Sequence, residues 1–313
     1  MYDIIGDIHG HAAELKLLLE KLDYQLTSQG SYTHPSRKVL FCGDFIDRGP
    51  EIIETLRIVR SMCDSGTARA VIGNHEYNAL AFHTEHPGKR GHFLRPQHER
   101  NIRQHRATLQ QLSAAGIRDM LSWFETLPVS LDAGSARIVH ACWDEQDLAT
   151  IHRASESEGH LTLDFLVRSS NHDDRLFKAV ERVLKGPEMH LPHGHFIIDR
   201  EGGKRPVTRI RWFEAPDENS CASYSLPEIH DPELQQLPVP VHAKPAVYAP
   251  DLPPVFFGHY WLRGDDPQPL ASNVACVDFS VARQGHLGCY RHHGESTLTA
   301  ANFVTQESLH TDP

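Results

Sequence analysis

Short apolar runs that end in glycine and polar residues recur along this chain. The three earliest runs lie at residues 2–5, 39–41 and 70–72, and their polar loops are residues 6–10, 43–49 and 73–76. Helical patterns follow these loops, so each unit predicts a buried strand, a turn and a helix. Because the carboxyl ends of parallel strands meet at one edge of a sheet, we expect the three loops to lie together.

Two later strands end in histidine. Residues 128–131 and 137–139 predict a hairpin whose second strand leads into His140, and residues 255–257 lead into His259. Further strands are predicted at residues 274–278 and 287–291, which would complete a second sheet. The pattern is therefore typical of an α/β (α+β) protein in which every strand-end loop carries a polar group.

The region from about 83 to 124 has a different composition, rich in histidine, glycine and basic residues in an otherwise acidic chain. It predicts a helical insertion over the edge of the sheet. A cap that attracts a phosphate-bearing substrate would use Arg95, Asn101 and His105. The alternative is a solvated helix face, because runs of charge usually lie on the surface.

Residues 150–250 form a variable region within one predicted domain of residues 1–313. One helix is predicted at 163–184, and a strand at 208–212 would turn Arg205, Arg209 and Arg211 to one face, toward substrate or water. His190, His193 and His195 form a cluster that an irregular surface loop explains better than a metal site, because proline and glycine interrupt it.

Composition narrows the possible functions. The chain has 313 residues, 40% of them hydrophobic, and a formal net charge of −10, which disfavours a general nucleic-acid-binding surface. No apolar run approaches the roughly 18 residues of a membrane helix. The six cysteines lack paired spacing, which favours free thiols and a cytoplasmic protein.

The polar groups at the strand ends suit a pair of metal ions. They comprise three imidazoles, two carboxylates and one amide, namely Asp7, His9, Asp44, Asn74, His140 and His259. This set is large enough to hold two divalent ions with Asp44 as the bridging ligand. Two ions about 3.5–4 Å apart lower the pKa of a bridging water, which can then attack a phosphate ester in line.

Three further residues of these loops suit catalysis. His75 can protonate a leaving oxygen, and Asp47 would keep its imidazole oriented and protonated. Arg48 can hold a phosphate oxygen, and Asn74 would also lie close enough to contact the substrate.

At these residues the chain resembles the calcineurin-like metallophosphoesterases, and more narrowly the branch of serine/threonine protein phosphatases and symmetrical diadenosine tetraphosphate hydrolases, with the prokaryotic members closest. The matching motifs are residues 6–10, 43–49, 73–76, 139–140 and 258–259. The resemblance implies a two-sheet β-sandwich flanked by helices.

The resemblance also implies a role for each motif residue. Asp7, His9 and Asp44 would bind the first metal, and the second would be bound by Asp44, Asn74, His140 and His259. His75 would be the proton donor paired with Asp47, and Arg48 would hold the phosphate. The chain departs from the protein phosphatases at Ala141 and Cys142, where they have two glycines, and residues 150–250 match them poorly.

The sequence therefore predicts a two-metal phosphoester hydrolase, principally a serine/threonine protein phosphatase-like enzyme acting on a phosphorylated protein or small phosphoester. The alternative is a diadenosine tetraphosphate hydrolase; a non-catalytic metal-bound scaffold and a nuclease rank lower. Mn²⁺ and iron fit the donor set first, and Zn²⁺, Co²⁺ and Ni²⁺ are also acceptable. We expect no specific nucleic acid and no membrane as partner.

Overall fold

The computed structural model describes residues 1–155, 160–192, 194–198, 203–240 and 247–310. Its strands are β1 Tyr2–Ile5, β2 Gln25–Leu26, β3 Tyr32–Thr33, β4 Lys38–Phe41, β5 Ala68–Ala70, β6 Ser130–Asp132, β7 Arg137–Val139, β8 Glu188–His190, β9 Ile197–Ile198, β10 Lys204–Arg205, β11 Val207–Arg209, β12 Val255–Phe257, β13 Val274–Cys276, β14 Asp278–Phe279, β15 His286–His292 and β16 Phe303–Glu307.

Eight α-helices lie within these described residues. They are α1 Ala12–Lys21, α2 Ile52–Asp64, α3 Asn74–His83, α4 Glu99–Gln111, α5 Ala114–Phe124, α6 Glu145–Ala154, α7 Leu163–Ser169 and α8 Arg175–Lys185. None of the helices in the described part of the chain is long and apolar enough to span a membrane.

The strands form two main sheets. The larger has the order β14-β15-β1-β4-β5, with β16 also paired to β15, and the smaller has the order β13-β12-β7-β6. The β1, β4 and β5 strands are parallel to one another, as are β7, β12 and β13. The carboxyl ends of β1, β4 and β5 therefore lie along one edge, as the strand–loop–helix pattern predicts.

The two sheets pack face to face because alternate strand residues are apolar on opposite sides. Ile4 and Leu40 of the larger sheet share a buried cluster with Ile138 and Phe256 of the smaller one. Strand residues that alternate with these, such as Ile5 and Phe41, belong to a second buried cluster, which includes apolar residues of the helices. The predicted fold class, a two-sheet sandwich flanked by helices, is confirmed.

Local boundaries differ from the sequence prediction in the middle of the chain. The single helix predicted at residues 163–184 is wrong, because α7 ends at Ser169 and α8 begins only at Arg175. The Asp174 side chain accepts from the backbone N–H of Leu176 at 2.8 Å and begins α8 there. The predicted strand at 208–212 is also shorter, since β11 ends at Arg209 and a turn follows.

The region predicted as a helical insertion contains the two helices α4 and α5. The α4 helix lies against the loop after β4, where the Gln111 side chain donates to the Gly49 carbonyl at 3.0 Å and accepts from the Ile52 N–H at 2.8 Å. Residues 83–124 thus contact the strand-end edge directly. All six cysteines are free, and five of them are buried.

Candidate metal centre

The loops after β4 and β5 approach each other closely. Gly43 has φ +94°, and a Cβ atom there would lie 2.5 Å from the backbone nitrogen of Gly73. Only glycine fits such a contact with this backbone conformation. The approach brings Asp44 against the beginning of α3, where the backbone N–H of His75 donates to its Oδ1 atom at 2.9 Å.

A buried carboxylate fixes the shape of both loops. Glu76 accepts hydrogen bonds from the backbone N–H groups of Asp44 at 2.7 Å, Phe45 at 2.8 Å, Ile46 at 3.3 Å and Gly73 at 3.0 Å. The sequence motif includes Glu76, but these hydrogen bonds of its side chain were not predicted. Its position three residues after Gly73, where a capping box places a glutamate, was the available signal.

Asp44 lies between two histidines. Its Oδ2 atom is 3.5 Å from His9 Nε2, and its Oδ1 atom is 3.4 Å from His140 Nε2. The Nδ1 atom of His9 contacts the Ile46 carbonyl at 2.8 Å, and that of His140 contacts the Cys42 carbonyl at 2.7 Å. A carbonyl can only accept, so both Nδ1 atoms carry a proton and both Nε2 atoms face the centre.

These nitrogens have the surroundings of metal ligands. Within the described residues the Nε2 atoms of His9 and His259 are buried without a hydrogen-bond partner. Burial, followed by repulsion from His75, lowers the pKa of His9 well below its usual range. A neutral imidazole with a buried free lone pair is the form that binds a metal ion, so the donor set fits one.

Asn74 and His140 also meet at this centre. Asn74 Oδ1 is 3.1 Å from His140 Nε2. Burial lowers the pKa of His140, but the Asp44 carboxylate outweighs it, so the pKa is raised and Nε2 can donate a proton to Asn74. A divalent ion that replaced this proton would be bound by both atoms.

Negative charge accumulates around the same point. Burial, joined by the carboxylates of Asp278 and Asp44, raises the pKa of Asp7 well above its usual value. Burial and the Asp44 charge likewise raise the pKa of Glu76 to about 7. Divalent cations would offset this repulsion. Ligand atoms of Asp44, His140 and His259 lie within 4.8 Å of one another, as do those of Asp44, His9 and His75.

His75 and Asp47 form a pair at the edge of this centre. His75 Nδ1 lies 2.6 Å from Asp47 Oδ2, and its Nε2 atom lies 4.0 Å from Asp44 Oδ2. The imidazole therefore presents one nitrogen to Asp47 and the other toward the candidate ligands. This is the placement that the sequence predicts for a proton donor.

The α4 helix holds the opposite side of Asp47. His105 Nδ1 lies 2.8 Å from Asp47 Oδ1, and the Thr108 hydroxyl donates to the same oxygen at 2.6 Å. Burial raises the pKa of Asp47, but the hydrogen bonds from His105 and His75 outweigh it and hold the pKa well below its usual range. The structure thus places His105, a predicted substrate-binding residue, against Asp47 and against His83 at 3.1 Å.

Arg48 lies on another side of the centre, stacked on an aromatic ring. Its guanidinium carbon is 4.2 Å from the centroid of Trp261, and that of Arg283 is 4.7 Å from the same ring. The rings of Trp261 and His9 are 6.2 Å apart, so both arginines lie near the candidate ligands. Trp261 lies in the same strand-end loop as His259, but its contact with Arg48 was not predicted, and Arg283 lies outside the strand-end motifs.

Arg95 lines a small cleft next to His75 and Asp47. Its guanidinium donates to the side-chain oxygens of Asn78 at 3.0 Å, Asn101 at 2.9 Å and Gln104 at 2.8 Å. These partners are neutral, and the described residues give Arg95 no carboxylate within ion-pair distance. Asn101 also donates to the Pro96 carbonyl at 2.8 Å, so its contacts orient Arg95.

The middle region contributes little to the centre. Arg205 pairs with Glu188 at 2.7 Å and Arg211 with Glu214 at 2.6 Å, while Arg209 is half-buried and lies 5.8 Å from the centroid of the Tyr260 ring. The three arginines do not share one strand, because Arg205 lies in β10 and β11 ends at Arg209. In the histidine cluster, His195 contacts Glu233 at 3.4 Å, and His193 lies outside the described residues.

Known proteins are similar to this chain over parts of their sequence. The asymmetrical bis(5'-nucleosyl)-tetraphosphatase PrpE of Halalkalibacterium halodurans is 48% identical over 75 residues, which are 24% of this chain and 30% of that protein. PrpE of Bacillus velezensis is 30% identical over 158 residues, 49% of this chain and 60% of that protein. The chain thus covers less than two thirds of these relatives' own lengths.

A longer match is found with the symmetrical bis(5'-nucleosyl)-tetraphosphatase of Methylococcus capsulatus, which is 25% identical over 231 residues, 68% of this chain and 75% of that protein. The sequence model of the family described as calcineurin-like phosphoesterase matches residues 2–226. That match spans more than half of the chain and includes every strand-end motif except that of His259. The protein therefore belongs to the calcineurin-like phosphoesterase family.

Proposed function

We propose that this protein is a two-metal phosphoester hydrolase whose substrates are dinucleoside polyphosphates, with diadenosine tetraphosphate as the representative. The observation that carries the hydrolase assignment is the His75–Asp47 pair at 2.6 Å, placed beside the ligand cluster around Asp44. A binding or scaffold protein has no need of an oriented proton donor at that position.

Two divalent ions would be held by Asp7, His9, Asp44, Asn74, His140 and His259, where they would lower the pKa of a coordinated water and neutralise phosphate charge. The protein's own groups perform the remaining work. His75 Nε2 delivers a proton to the leaving oxygen, and Asp47 holds the opposite nitrogen so that the ring keeps its orientation.

The choice of substrate rests on the relatives and on the cationic groups. The three relatives described above are named as bis(5'-nucleosyl)-tetraphosphatases, which supports the alternative of the sequence analysis more than a protein phosphatase. Arg48 and Arg283 lie beside Trp261, and Arg95 lies in the cleft beside His75. Cations in two places around the centre suit a chain of several phosphates better than one phosphoryl group.

The experiment compares three substrates on one preparation reconstituted with Mn²⁺: diadenosine tetraphosphate, a phosphoserine peptide and p-nitrophenyl phosphate. We expect kcat/KM for the dinucleotide to exceed that for the peptide by at least about tenfold, or about 1.4 kcal/mol. Products separate the two cleavage modes, since symmetrical cleavage gives only ADP and asymmetrical cleavage gives ATP and AMP. Faster turnover of the peptide would instead support the protein phosphatase.

The His75→Asn variant is the control for that experiment. It should retain the metal ions and lose turnover most with the phosphoserine peptide, whose alkoxide is a poor leaving group, and least with p-nitrophenyl phosphate, whose phenolate departs readily as an anion. A metal-loaded wild-type protein that hydrolyses none of the three would refute the proposed function.

A further inference from the structure

A second cluster of metal-binding residue types joins the start of α1 to the C-terminal end of the described chain. It consists of His11, Glu14 and His310, and one candidate ligand atom from each lies within 4.8 Å of the other two. His11 and Glu14 are buried and stand three residues apart at the first turn of α1, whereas His310 is half exposed. None of the three belongs to the residues that surround Asp44.

Glu14 has one oxygen in use and one free. Its Oε1 atom accepts the backbone N–H of Leu309 at 2.9 Å and lies 3.4 Å from His11 Nδ1. Its Oε2 atom is fully buried and has no hydrogen-bond partner among the described residues. Burying a carboxylate oxygen without a partner costs free energy, and a cation bound to the same carboxylate would reduce that cost.

The distances are close to those of a tetrahedral site. Ligand atoms that bind Zn²⁺ at about 2.0–2.1 Å lie roughly 3.4 Å apart. The His11–Glu14 contact already has that separation, at 3.4 Å. His310 Nε2 lies 4.0 Å from Glu14 Oε1, and its exposed side chain can move by the remaining fraction of an ångström. Because His310 is half exposed, a water would complete the coordination from the solvent side.

We propose that His11, Glu14 and His310 form an additional divalent-cation site that fastens residues 308–310 to the first turn of α1. Two imidazoles and one carboxylate favour Zn²⁺ over the hard cations Mg²⁺ and Ca²⁺, which prefer oxygen ligands. The site is structural, because a cation there holds two segments together that are almost three hundred residues apart in the sequence.

The connection matters because α1 begins directly after the loop that carries Asp7 and His9. Lys21 of α1 donates to the Thr305 carbonyl of β16 at 3.1 Å, and the segment after β16 is anchored by the Ser308 N–H, which donates to the Gly285 carbonyl before β15 at 2.8 Å. A cation bound to three side chains would add a much stronger link and restrict the fraying that is usual at chain ends.

The test is the zinc content of the untagged chain of residues 1–313, measured by elemental analysis after equilibrium dialysis against buffered free Zn²⁺. The informative variant is His310→Ala, which removes an exposed ligand and leaves the buried side chains in place. His230→Ala, at another exposed histidine, is the matched control. We expect wild type and His230→Ala to retain one zinc ion per chain more than His310→Ala.

A second readout follows the stability of the same three proteins. Zinc should raise the melting temperature of wild type and His230→Ala more than that of His310→Ala, since only the first two bind the additional ion. Equal zinc content in wild type and His310→Ala at every free Zn²⁺ concentration would overturn the proposal. The comparison is a difference of one ion, so it stands whether the centre around Asp44 binds two ions or none.

Discussion

The Glu76→Gln substitution tests how the Asp44 loop is held in place. The substitution exchanges one carboxylate oxygen of Glu76 for an NH2 group and leaves the rest of the side chain unchanged. In the native structure Oε2 accepts the N–H groups of Asp44 and Gly73, while Oε1 accepts those of Phe45 and Ile46. A glutamine can satisfy only one of these two pairs. The other pair would face a donor.

The magnitude follows from that count. Each buried N–H group left without an acceptor costs about 1–3 kcal/mol, so the substitution should lower the free energy of unfolding by roughly 2–6 kcal/mol. This is a large share of the 5–15 kcal/mol that is typical of a whole protein. It should be measured in saturating Mn²⁺, because the cations offset the repulsion between Glu76 and Asp44.

Without metal the loss should be smaller. Burial and the Asp44 charge raise the pKa of Glu76 from near 4.5 to about 7, so the carboxylate costs about 3 kcal/mol above pH 7. Because the pKa of this acid is raised in the folded protein, its ionised form destabilises the folded state. This destabilisation is absent below pH 4.5 and complete above pH 7. Glutamine carries no charge, so the metal-free variant lacks this cost. The gain offsets part of the free energy of unfolding that the variant loses with the two hydrogen bonds.

The assay is guanidinium unfolding of both proteins at pH 7.5, with Mn²⁺ and with a chelator. Glu228→Gln, at an exposed glutamate, is the matched control and should stay within about 0.5 kcal/mol of wild type. Metal-loaded Glu76→Gln with the stability of this control would refute the reasoning, because four backbone donors would then not depend on the carboxylate.

Three other substitutions address the centre itself. Asp44→Asn should lose both metal ions and nearly all turnover, because the carboxylate lies between the two sets of candidate ligands; elemental analysis and hydrolysis measure this. His75→Asn should keep its metal ions and lose rate, most severely with poor leaving groups, and equal metal loss in both variants would contradict its role. His105→Ala should lower kcat by roughly 10–100-fold with metal content unchanged, since it frees one side of Asp47.

His230→Ala is the control for His105→Ala, because it removes an imidazole from an exposed position. A His105→Ala variant with the kcat of this control would show that Thr108 and His75 suffice to hold Asp47. A variant that loses metal as well as rate would show that α4 supports the whole edge of the sheet rather than the proton donor alone.

The strand-end residues were predictable because their signals are local. A short apolar run, a glycine and an acid or histidine are all read within six or seven residues, and the parallel sheet then brings the loops together. Asp44 and His140 follow this rule in different sheets, and the structure places them 3.4 Å apart. The fold class followed from the same pattern and from the family resemblance.

Contacts made by distant parts of the chain were not predictable in this way. His105 reaches Asp47 only because α4 lies across the loop after β4, and side-chain packing between elements determines that angle. Trp261 meets Arg48 for a similar reason. The break between α7 and α8 had a local signal in Asp174, but the strong apolar periodicity on either side outweighed it.

Charge gives the proposed substrate a physical basis. The chain carries a formal net charge of −10, which repels a polyphosphate in solution, and the buried Asp44 carboxylate, whose pKa the neighbouring histidines hold well below its usual range, adds negative charge at the centre. Arg95 lacks a carboxylate partner in the described part of the chain, and Arg48 and Arg283 share the Trp261 ring. A polyanion would therefore bind through these cations and the metal ions together.

Raising the salt concentration should raise KM for diadenosine tetraphosphate more steeply than for p-nitrophenyl phosphate, because the tetraphosphate uses more of these contacts. Equal salt dependence of the two KM values would mean that the arginines do not contact the phosphate chain.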